Sequence, residues 1–456
     1  MTRRRAHADR FQPIRPVRAL ALLAALLLAL GAAACGGSDD DGGGNGGAKG
    51  GGEKTTVKFL TGRSEVAANE KESKRLIEVF EKQNPNITVK REAMDSDQLR
   101  TVMNTRLGSN NAPDLITYDT GPGFGGVLAR SNLIQPIEDA YSKFGWDIFD
   151  WAKQRATYGG KTYGVPDQVE EVGIYYNKDL FEKLGFNDEP KTLDEFMAIA
   201  EKAKQNDLIP LAFGDQEQWP AGHQFSMLVS NLLGREGLDE ILYGDGKWNS
   251  PKVVKAIDIF FRQFNDKGYF PKGVNGLGYD DANQLFYSGK AVMVPTGTWL
   301  VSEISQTVKF DVGFFPFPAI DGSKIAAPAG VGSGWFIPAK AKNREGALKL
   351  LNFFVQSDAA LKSGLTVFNA IPAHPVETEG LEIPPLFKEV LTDLEKTDES
   401  AFGYNIDVLT PQNFNEVMFT GFQSVLSGQR SPQEQADKLQ QAWEKAKAKG
   451  DILEKP

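Results

Sequence analysis

Hydrophobic positions along this chain follow two alternating spacings from about residue 56 onward. Short apolar runs, typical of buried strands, occur at 57–60, 87–89 and 114–118. Longer stretches with apolar residues three and four positions apart, typical of helices, occur between and after these runs. The stretches that predict helices are 70–83, 97–107, 192–206, 251–267, 344–356 and 432–448. This alternation predicts an α/β protein with a largely parallel sheet.

Local signals support several of these helices. Thr192 and Glu195 have the spacing of a capping box, in which each side chain bonds the other residue's backbone N–H. Pro251 and Pro432 stand at the expected starts of two further helices, where a missing backbone N–H costs nothing. The face formed by Leu76, Ile77, Val79 and Phe80 is expected to point inward.

The N-terminal segment has the layout of a secretory signal. Arginines 3, 4, 5, 10, 15 and 18 precede an apolar run at 19–30. The whole apolar stretch, 19–34, is shorter than the roughly 20 residues of a spanning helix; a buried or anchoring helix is the alternative interpretation.

Cys35 is the single cysteine of the chain, and the sequence LGAAAC that it ends resembles the lipobox of bacterial lipoprotein precursors. That resemblance implies removal of residues 1–34 and lipidation of Cys35, which would anchor the protein outside the cytoplasm.

Net charge and composition exclude some classes of binding partner. Residues 1–34 carry a net charge of +5, so their removal takes the net charge from −9 to −14. An acidic chain of this kind argues against nucleic acid and against a basic lipid-binding patch. Residues 35–55 are expected to form a lipid anchor and a flexible tether rich in Gly and Asp. The remaining chain is long enough for two domains.

Three groups of motifs carry a family resemblance. The first is PDLITYD at 113–119, FGG at 124–126 and NLIQPIE at 132–138. The second is YGVP at 163–166, IYYNKDLF at 174–181 and PKTLDEF at 190–196. The third is FYSGKAVM at 286–293, GTW at 297–299, GWFI at 334–337 and ALKLLNFF at 347–354. In this order they resemble the maltose-binding-protein-like solute-binding proteins of carbohydrate ABC importers, over roughly residues 55–450.

The resemblance implies a two-lobe type II periplasmic-binding-protein fold, in which hinge strands join the lobes and the ligand lies in the cleft between them. It places lobe 1 at 56–168 plus 294–340 and lobe 2 at 169–293 plus 341–456. The hinge crossings are accordingly expected near 166–176, 290–296 and 337–345.

A glycine-rich turn offers a competing interpretation. Residues 121–126, GPGFGG, fit the G-x-G-x-x-G pattern of dinucleotide sites and follow a predicted strand. Pro122 lies inside the turn, however, and the glycines follow the third predicted strand rather than the first. Turning the chain, or allowing close approach of a ligand to the backbone, is the interpretation we favour.

Polar candidates for ligand binding cluster at strand ends. Asp119 ends a buried strand where open α/β sheets place ligands, although a turn or capping role is the alternative. Tyr118 precedes it and is either a ligand contact or a core residue. The resemblance matches Glu170 to a hinge carboxylate that faces the cleft, with Glu171 pointing the other way. It also matches Arg63 and Ser64 to a ligand-contacting loop, for which a solvated loop is the alternative.

Tryptophans are the aromatic candidates, because the C–H face of a pyranose docks on a flat ring. Trp299 matches the cleft tryptophan of the family, and Trp335 and Trp219 stand among Gly and polar residues. Burial in the core is the alternative for each. His223, close to Trp219, either bonds a hydroxyl or is structural.

Enzyme chemistry finds no support in the motifs. His223 and His374 do not form a zinc-ligand spacing, and no G-x-S-x-G elbow occurs. The pairs Glu170–Glu171 and Asp280–Asp281 do not place two carboxylates across a glycosidic bond, since neighbours on a strand face opposite ways. We therefore expect no enzyme, cofactor or metal.

The expected function is that of a lipid-anchored, monomeric receptor. It would bind an extracellular sugar or oligosaccharide and deliver it to an ABC permease by closing the cleft. The same fold binding a polyamine, phosphodiester or iron is the alternative, and an anchored adhesion or scaffold protein is a third. The tryptophans favour sugar.

Overall fold

The computed structural model describes residues 54–64, 66–396 and 402–452. Its strands are β1 (Thr55–Gly62), β2 (Ile87–Met94), β3 (Leu115–Asp119), β4 (Thr157–Tyr158), β5 (Lys161–Thr162), β6 (Gly164–Pro166), β7 (Gln168–Asn177), β8 (Ile209–Leu211), β9 (Ala291–Gly297), β10 (Val312–Phe315), β11 (Pro328–Gly330), β12 (Ser333–Phe336), β13 (Ile371–Pro372) and β14 (Gly403–Tyr404). Its α-helices are α1 (Ala67–Gln83), α2 (Ser96–Gly108), α3 (Gly125–Arg130), α4 (Glu138–Phe144), α5 (Asp150–Lys153), α6 (Lys178–Leu184), α7 (Leu193–Gln205), α8 (Trp219–Tyr243), α9 (Pro251–Ile257), α10 (Tyr279–Tyr287), α11 (Val301–Thr307), α12 (Arg344–Gln356), α13 (Asp358–Ser363), α14 (Pro385–Lys396), α15 (Gln412–Leu426) and α16 (Pro432–Lys449).

The first lobe is built on the sheet β2-β1-β3-β12-β6. Strand β1 runs parallel to β2 and β3, whereas β12 runs antiparallel between β3 and β6. Helices α1 and α12 cover one face, where Leu76, Phe80 and Leu351 join Phe59 in a buried core. Helix α2 covers the opposite face, on which Leu60 and Ile116 are buried.

The second lobe is built around β7, from which a sheet in the order β14-β11-β7-β9-β8 extends. Strands β10 and β13 also pair with β7, and β9, β10, β11 and β13 all run antiparallel to it. From Glu171 onward every residue of β7 is buried. Helices α8, α9, α15 and α16 pack over this sheet around the fully buried Trp248 and Trp443.

Both sheets are therefore mixed. Four of the five strands of the first sheet run in one direction, but antiparallel pairs predominate in the second, where the prediction of a largely parallel sheet is wrong. The predicted helices agree more closely with the structure than the predicted sheet does. The Thr192–Glu195 capping box is present at the start of α7, and α12 spans 344–356 as predicted. The helix predicted at 251–267 begins at Pro251, but changes to a π-helix over Asp258–Phe264.

Three segments of the described chain pass between the two sheets. The first lies at the junction of β6 and β7, the second between β11 and β12, and the third around β13. Strands β11 and β13 both pair with the first four residues of β7, so the three crossings lie side by side there.

This arrangement differs from the lobe boundaries expected from the sequence. Strand pairing puts β9, β10 and β11 in the second sheet, although 294–340 was assigned to lobe 1. Helix α12 packs on the first lobe, although 341–456 was assigned to lobe 2. The reason is that β12 is hydrogen-bonded between β3 and β6, and the apolar face of α12 is buried against β1. The second and third crossings therefore lie near 331–332 and 369–373.

The proposed signal peptide at 1–34, the lipidation residue Cys35 and the tether up to residue 53 lie outside the described residues. Among the helices that the structure describes, none is long and apolar enough to cross a membrane.

The glycine-rich turn at 121–126 packs against the second lobe. Gly121 has a φ of +86°, and a Cβ there would overlap the backbone carbonyl of Val408. A Cβ at Gly123 would lie 2.8 Å from the carbonyl oxygen of Thr410. These glycines therefore allow the backbones of the two lobes to meet, which replaces the dinucleotide interpretation of this motif.

We expect Gly121→Ala to lower the thermal unfolding midpoint, because the methyl group forces the two backbones apart. Gly185→Ala is the matched control: its φ is +92°, but nothing lies within 4 Å of a Cβ there. Both substitutions carry similar left-handed strain, and overpacking should cost Gly121→Ala about 1–3 kcal/mol more. Circular dichroism melts of the two variants make the comparison, and equal midpoints would contradict this account of the turn.

Candidate ligand-binding cleft

An aromatic cluster lies on the side of the second lobe that faces the first lobe. It consists of Trp219, His223, Tyr279 and Trp299 (the aromatic cluster). The Trp219 ring centroid lies 4.6 Å from that of Tyr279, 5.1 Å from that of His223 and 6.4 Å from that of Trp299. Trp219, Tyr279 and Trp299 are only partly buried, so the cluster keeps aromatic surface accessible.

Three elements hold these rings in place. Trp219 is the first residue of α8, and the buried carboxylate of Asp215 accepts a hydrogen bond from the backbone N–H of Ala221 in the first turn. Trp299 follows β9, and its Nε1 donates to the Tyr279 hydroxyl at 3.0 Å. A Cβ at Gly297 would overlap the Trp299 ring, so only glycine permits this ring position.

Arg100 faces the aromatic cluster from the first lobe. Its guanidinium lies 5.8 Å from the centroid of the Trp219 ring and 5.7 Å from that of Phe124. It also donates to both carboxylate oxygens of Asp119, at 2.7 and 3.1 Å. Burial alone would lower the pKa of Arg100, but the charge and hydrogen bonds of Asp119 outweigh it and raise that pKa. The pair is therefore a charged, bidentate contact at the edge of the cleft.

Several buried polar side chains of the second lobe have an atom without a hydrogen-bond partner among the described residues, and two of them, Asp407 and His223, lie at the aromatic cluster. Asp407 is 3% exposed and His223 is 9% exposed. The Nε2 atom of His223 lies 3.6 Å from Oδ2 of Asp407. Among the described residues, Oδ1 of Asp407 and Nδ1 of His223 have no hydrogen-bond partner. Buried polar atoms are rarely left unpaired, so these two are candidates for contact with a ligand or water.

Glu170 lies on β7, at the point where the crossings meet. Burial raises its pKa to about 7, against the hydrogen bond that Gln168 Nε2 donates at 2.9 Å. The charges of Asp167, Asp119 and Asp407 raise this pKa further, which puts all three carboxylates within electrostatic range of Glu170. Glu171 points away from them, and its pKa is raised to about 8, mainly by burial and to a smaller extent by the charge of Asp393.

The structure thus brings together Asp119, Glu170, Trp219 and Trp299 from the sequence-based candidates. Aromatic rings and polar groups from both lobes converge on the space between them. Such a space suits a ligand with apolar faces and hydroxyl or charged edges.

Tyr118 adjoins this group through Phe124, and Arg63 directly follows β1. Tyr118 is half-buried edge-on to Phe124, with ring centroids 6.4 Å apart, and burial raises its pKa to about 12. Arg63 is exposed and forms a 4.0 Å ion pair with Asp95.

Ser64 and Trp335 lie elsewhere, on the wall of a separate cavity of about 300 Å³. This space (the hinge cavity) lies between the first sheet, α1 and the hinge crossings, and its lining includes Ser64, Thr117, Asp167, Gln168, Trp335 and Pro372. Ser64 also accepts hydrogen bonds from the backbone of Val66 and from Asn69 at the start of α1. None of the aromatic cluster residues lines this cavity.

Sequence reasoning missed Arg100, Tyr279 and Asp407. Their contacts with the aromatic cluster are distant in sequence, since Arg100 and Tyr279 meet Trp219 and Asp407 meets His223, and none of the three stands in a motif that marks it. The sequence leaves His223 between a ligand contact and a structural role; its Nδ1 is buried and has no hydrogen-bond partner among the described residues. Among the described residues, no group of three His, Cys, Asp or Glu side chains is placed to hold a metal ion.

Comparison with known proteins supports the fold and the family. The family model of bacterial extracellular solute-binding proteins matches residues 64–361. A multiple sugar-binding protein of Streptococcus mutans is 28% identical over 75% of this chain and 81% of its own length. The diacetylchitobiose-binding protein NgcE of Streptomyces coelicolor is 25% identical over 68% of this chain and 70% of its own length.

Solved structures agree with the two-lobe architecture. A chitin oligosaccharide binding protein matches with a TM-score of 0.77 at 23% identity, over 87% of this chain and 100% of its own. The maltose/maltodextrin-binding domain MalE of Bdellovibrio bacteriovorus, bound to maltotriose, matches with a TM-score of 0.69 at 21% identity, over 86% and 100%. Together, the match to the family model and the two-lobe type II fold show that this chain belongs to the bacterial extracellular solute-binding protein family.

Proposed function

We propose that this chain is the substrate-binding component of an ABC importer and that its ligand is an extracellular sugar or oligosaccharide. The observation that carries the proposal is the aromatic cluster facing the Arg100–Asp119 pair across the cleft, with Glu170 on the adjoining strand β7. The names of the relatives support it, since they include proteins described as binding multiple sugars, maltodextrin and diacetylchitobiose.

The chemistry of the cleft matches both sides of a sugar ring. The accessible faces of Trp219 and Trp299 offer surfaces on which the C–H face of a pyranose stacks. The unpartnered atoms of Asp407 and His223 offer hydrogen bonds to hydroxyl groups. Asp119 and Glu170 add acceptors, and hydrogen bonds to carboxylates are stronger than those between neutral groups.

Ligand capture would work by rotation about the three crossings. They lie side by side on β7, so small backbone changes there move one lobe relative to the other. A sugar that contacts Trp299 and Arg100 together gains contacts only when the lobes are close. Such a sugar binds the closed form more tightly than the open form, and this difference in affinity would shift the population toward the closed form.

The N-terminus would keep the receptor at the membrane. In this proposal residues 1–34 are removed, Cys35 carries the lipid and the glycine-rich segment is the tether. The folded lobes would then stay close to the permease that receives the ligand. The acidic net charge agrees with an anchor that depends on lipid rather than on attraction to anionic headgroups.

A polyamine is the second candidate ligand. The carboxylate of Asp119 is paired with Arg100 beside the Trp219 ring, that of Asp407 lies 3.6 Å from His223, and both act on Glu170. Carboxylates next to aromatic rings also attract organic cations. A phosphodiester fits less well, because Arg100 is already paired with Asp119.

Trp299→Ala should weaken sugar binding by about 30-fold, or about 2 kcal/mol, because it removes a stacking surface at the centre of the site. A panel of monosaccharides and malto-, chito- and xylo-oligosaccharides is first screened by thermal shift. A sugar at 100 times its dissociation constant adds about 2.7 kcal/mol to stability. Calorimetric titration of the best ligand then compares wild type with the variant.

Trp151→Ala is the matched control for that substitution. Trp151 is a partly buried tryptophan of the first lobe that stacks on Phe149 outside the cleft. Sugar affinity should be unchanged in this variant. If polyamines shift the midpoint and no sugar does, the carbohydrate assignment is wrong; if Trp299→Ala binds sugar as wild type does, the stacking role is wrong.

Glu170→Gln tests the buried carboxylate through pH. Because folding raises the pKa of Glu170 to about 7, its contribution to stability is fully present below the unfolded pKa near 4.5 and is lost as pH rises through 7. The ligand-free variant should therefore gain stability relative to wild type between pH 5 and pH 8. Glu345→Gln, at an exposed carboxylate paired with Lys349, is the control. A midpoint difference between Glu170→Gln and wild type that does not change with pH would refute this role of burial.

Cys35→Ala tests the anchor. In a Gram-positive host, wild-type protein should partition with membranes and incorporate a labelled fatty acid. The variant should lose the label and appear in the medium, because no thiol remains for lipid attachment. Label retained by Cys35→Ala would show that the anchor lies elsewhere.

A further inference from the structure

The hinge cavity contains polar and apolar surface that sugar binding in the cleft does not use. Its volume is about 300 Å³. One wall is the face of the first sheet that carries Thr61, Thr117 and Trp335, and the opposite wall includes Leu76 of α1 and Phe368. This is enough space for a small organic molecule of several heavy atoms.

An unneutralised carboxylate lies in the wall of this cavity. Asp167 connects β6 to β7, and its carboxylate has a single long contact, 3.5 Å from the Ser333 hydroxyl. Among the described residues no Lys, Arg or His forms an ion pair with it. Burial raises its pKa to about 7, as expected of a carboxylate without a cation.

Glu70 and Arg91, which also line the cavity, neutralise one another, and the remaining titratable side chain of the lining is the His374 ring, whose Nδ1 contacts the Pro375 carbonyl oxygen. Arg91 donates to both carboxylate oxygens of Glu70, at 2.6 and 2.8 Å, and this pair is held at the start of α1. The carboxylate of Asp167 is therefore the charged group of the cavity that a bound cation would neutralise.

An aromatic ring lines the same cavity as that carboxylate. Trp335 stands opposite Val165 in the sheet, and Asp167 follows Val165 by two residues, so both side chains belong to the same face. Trp335 is only partly buried, and Phe354 stacks on it with centroids 6.2 Å apart. A carboxylate beside an aromatic ring is the combination that recognises organic ammonium groups.

We propose that the hinge cavity binds a small organic cation, a protonated amine on a compact apolar body, at a site separate from the sugar cleft. The ammonium group would pair with Asp167 and lie near the Trp335 ring. The apolar body would contact Leu76, Phe354 and Phe368. A neutral sugar fits less well, because most of the wall facing the sheet is apolar and offers hydroxyl groups few partners.

The position of the cavity couples its occupant to the cleft. Its lining takes residues from two crossings, including Asp167 and Gln168 from one and Pro372 from another. Gln168 also donates to Glu170, which faces the cleft. A bound amine contacts segments that move when the lobes rotate, so it changes sugar affinity, and sugar changes amine affinity by the same factor.

Calorimetric titration of the full mature chain with cyclohexylammonium chloride tests the site, and cyclohexanol is the uncharged control of matching shape. Wild type should bind the amine and not the alcohol. Asp167→Asn, which keeps the side-chain volume, should weaken amine binding about tenfold or more, since hydrogen bonds to charged groups are worth about 1.5–3 kcal/mol. Trp299→Ala should bind the amine as wild type does.

Three results would overturn the proposal. Equal binding of cyclohexanol would show an apolar cavity without cation selectivity. Amine binding that survives Asp167→Asn but is lost in Trp299→Ala would place the amine in the sugar cleft. If millimolar cyclohexylammonium gives no heat of binding and no shift of the thermal unfolding midpoint, the cavity does not bind an organic cation.

A second titration tests the coupling. Sugar affinity is measured in saturating cyclohexylammonium and in its absence, and we expect a change of about twofold or more. Asp167→Asn should abolish that change. An unchanged sugar affinity in wild type that binds the amine would refute the coupling. Because sugar binding is measured without amine as well, failure of the amine site and failure of the sugar assignment give different results.

Discussion

The backbone hydrogen bonds of β7 hold this structure together. That strand pairs with β9 and β10 along its second half and with β11 and β13 at its start. Its start is also where the chain passes from the first sheet to the second. The same ten residues therefore form the centre of one lobe and the hinge of both. The position of Glu170 in the cleft and that of Gln168 on the hinge cavity follow from this geometry.

The cleft depends on contacts between lobes that distant parts of the chain make. Arg100 from the first lobe lies against Trp219 of the second, and the glycine-rich turn packs on the backbone around Val408. Two buried polar atoms, on Asp407 and His223, remain without a partner among the described residues. A partly exposed cluster of tilted rings next to unsatisfied polar atoms is a surface suited to an amphipathic ligand rather than to a permanent protein contact.

Much of the fold was predictable because its signals are local. The capping box at Thr192, the apolar spacing of 344–356 and the strand ending at Asp119 each depend on a few neighbouring residues. The ordered motifs also identified the family, and the match over 64–361 confirms it. Four candidate site residues, Asp119, Glu170, Trp219 and Trp299, do meet at the cleft.

The remaining features arise from pairings across long stretches of chain. The sequence shows that β12 is a strand, but only its hydrogen bonds to β3 and β6 assign it to the first lobe and move the crossings from their expected positions. For the same reason Trp335 and Ser64 line the hinge cavity and not the cleft, since the face of a strand that meets a ligand depends on what packs opposite it. The sequence by itself determined most of the elements, the family and the residue types of the candidate cleft, because these depend on local spacing and composition. Tertiary structure decided which of those residues share one space, because that depends on strand register and on lobe contacts between residues hundreds of positions apart.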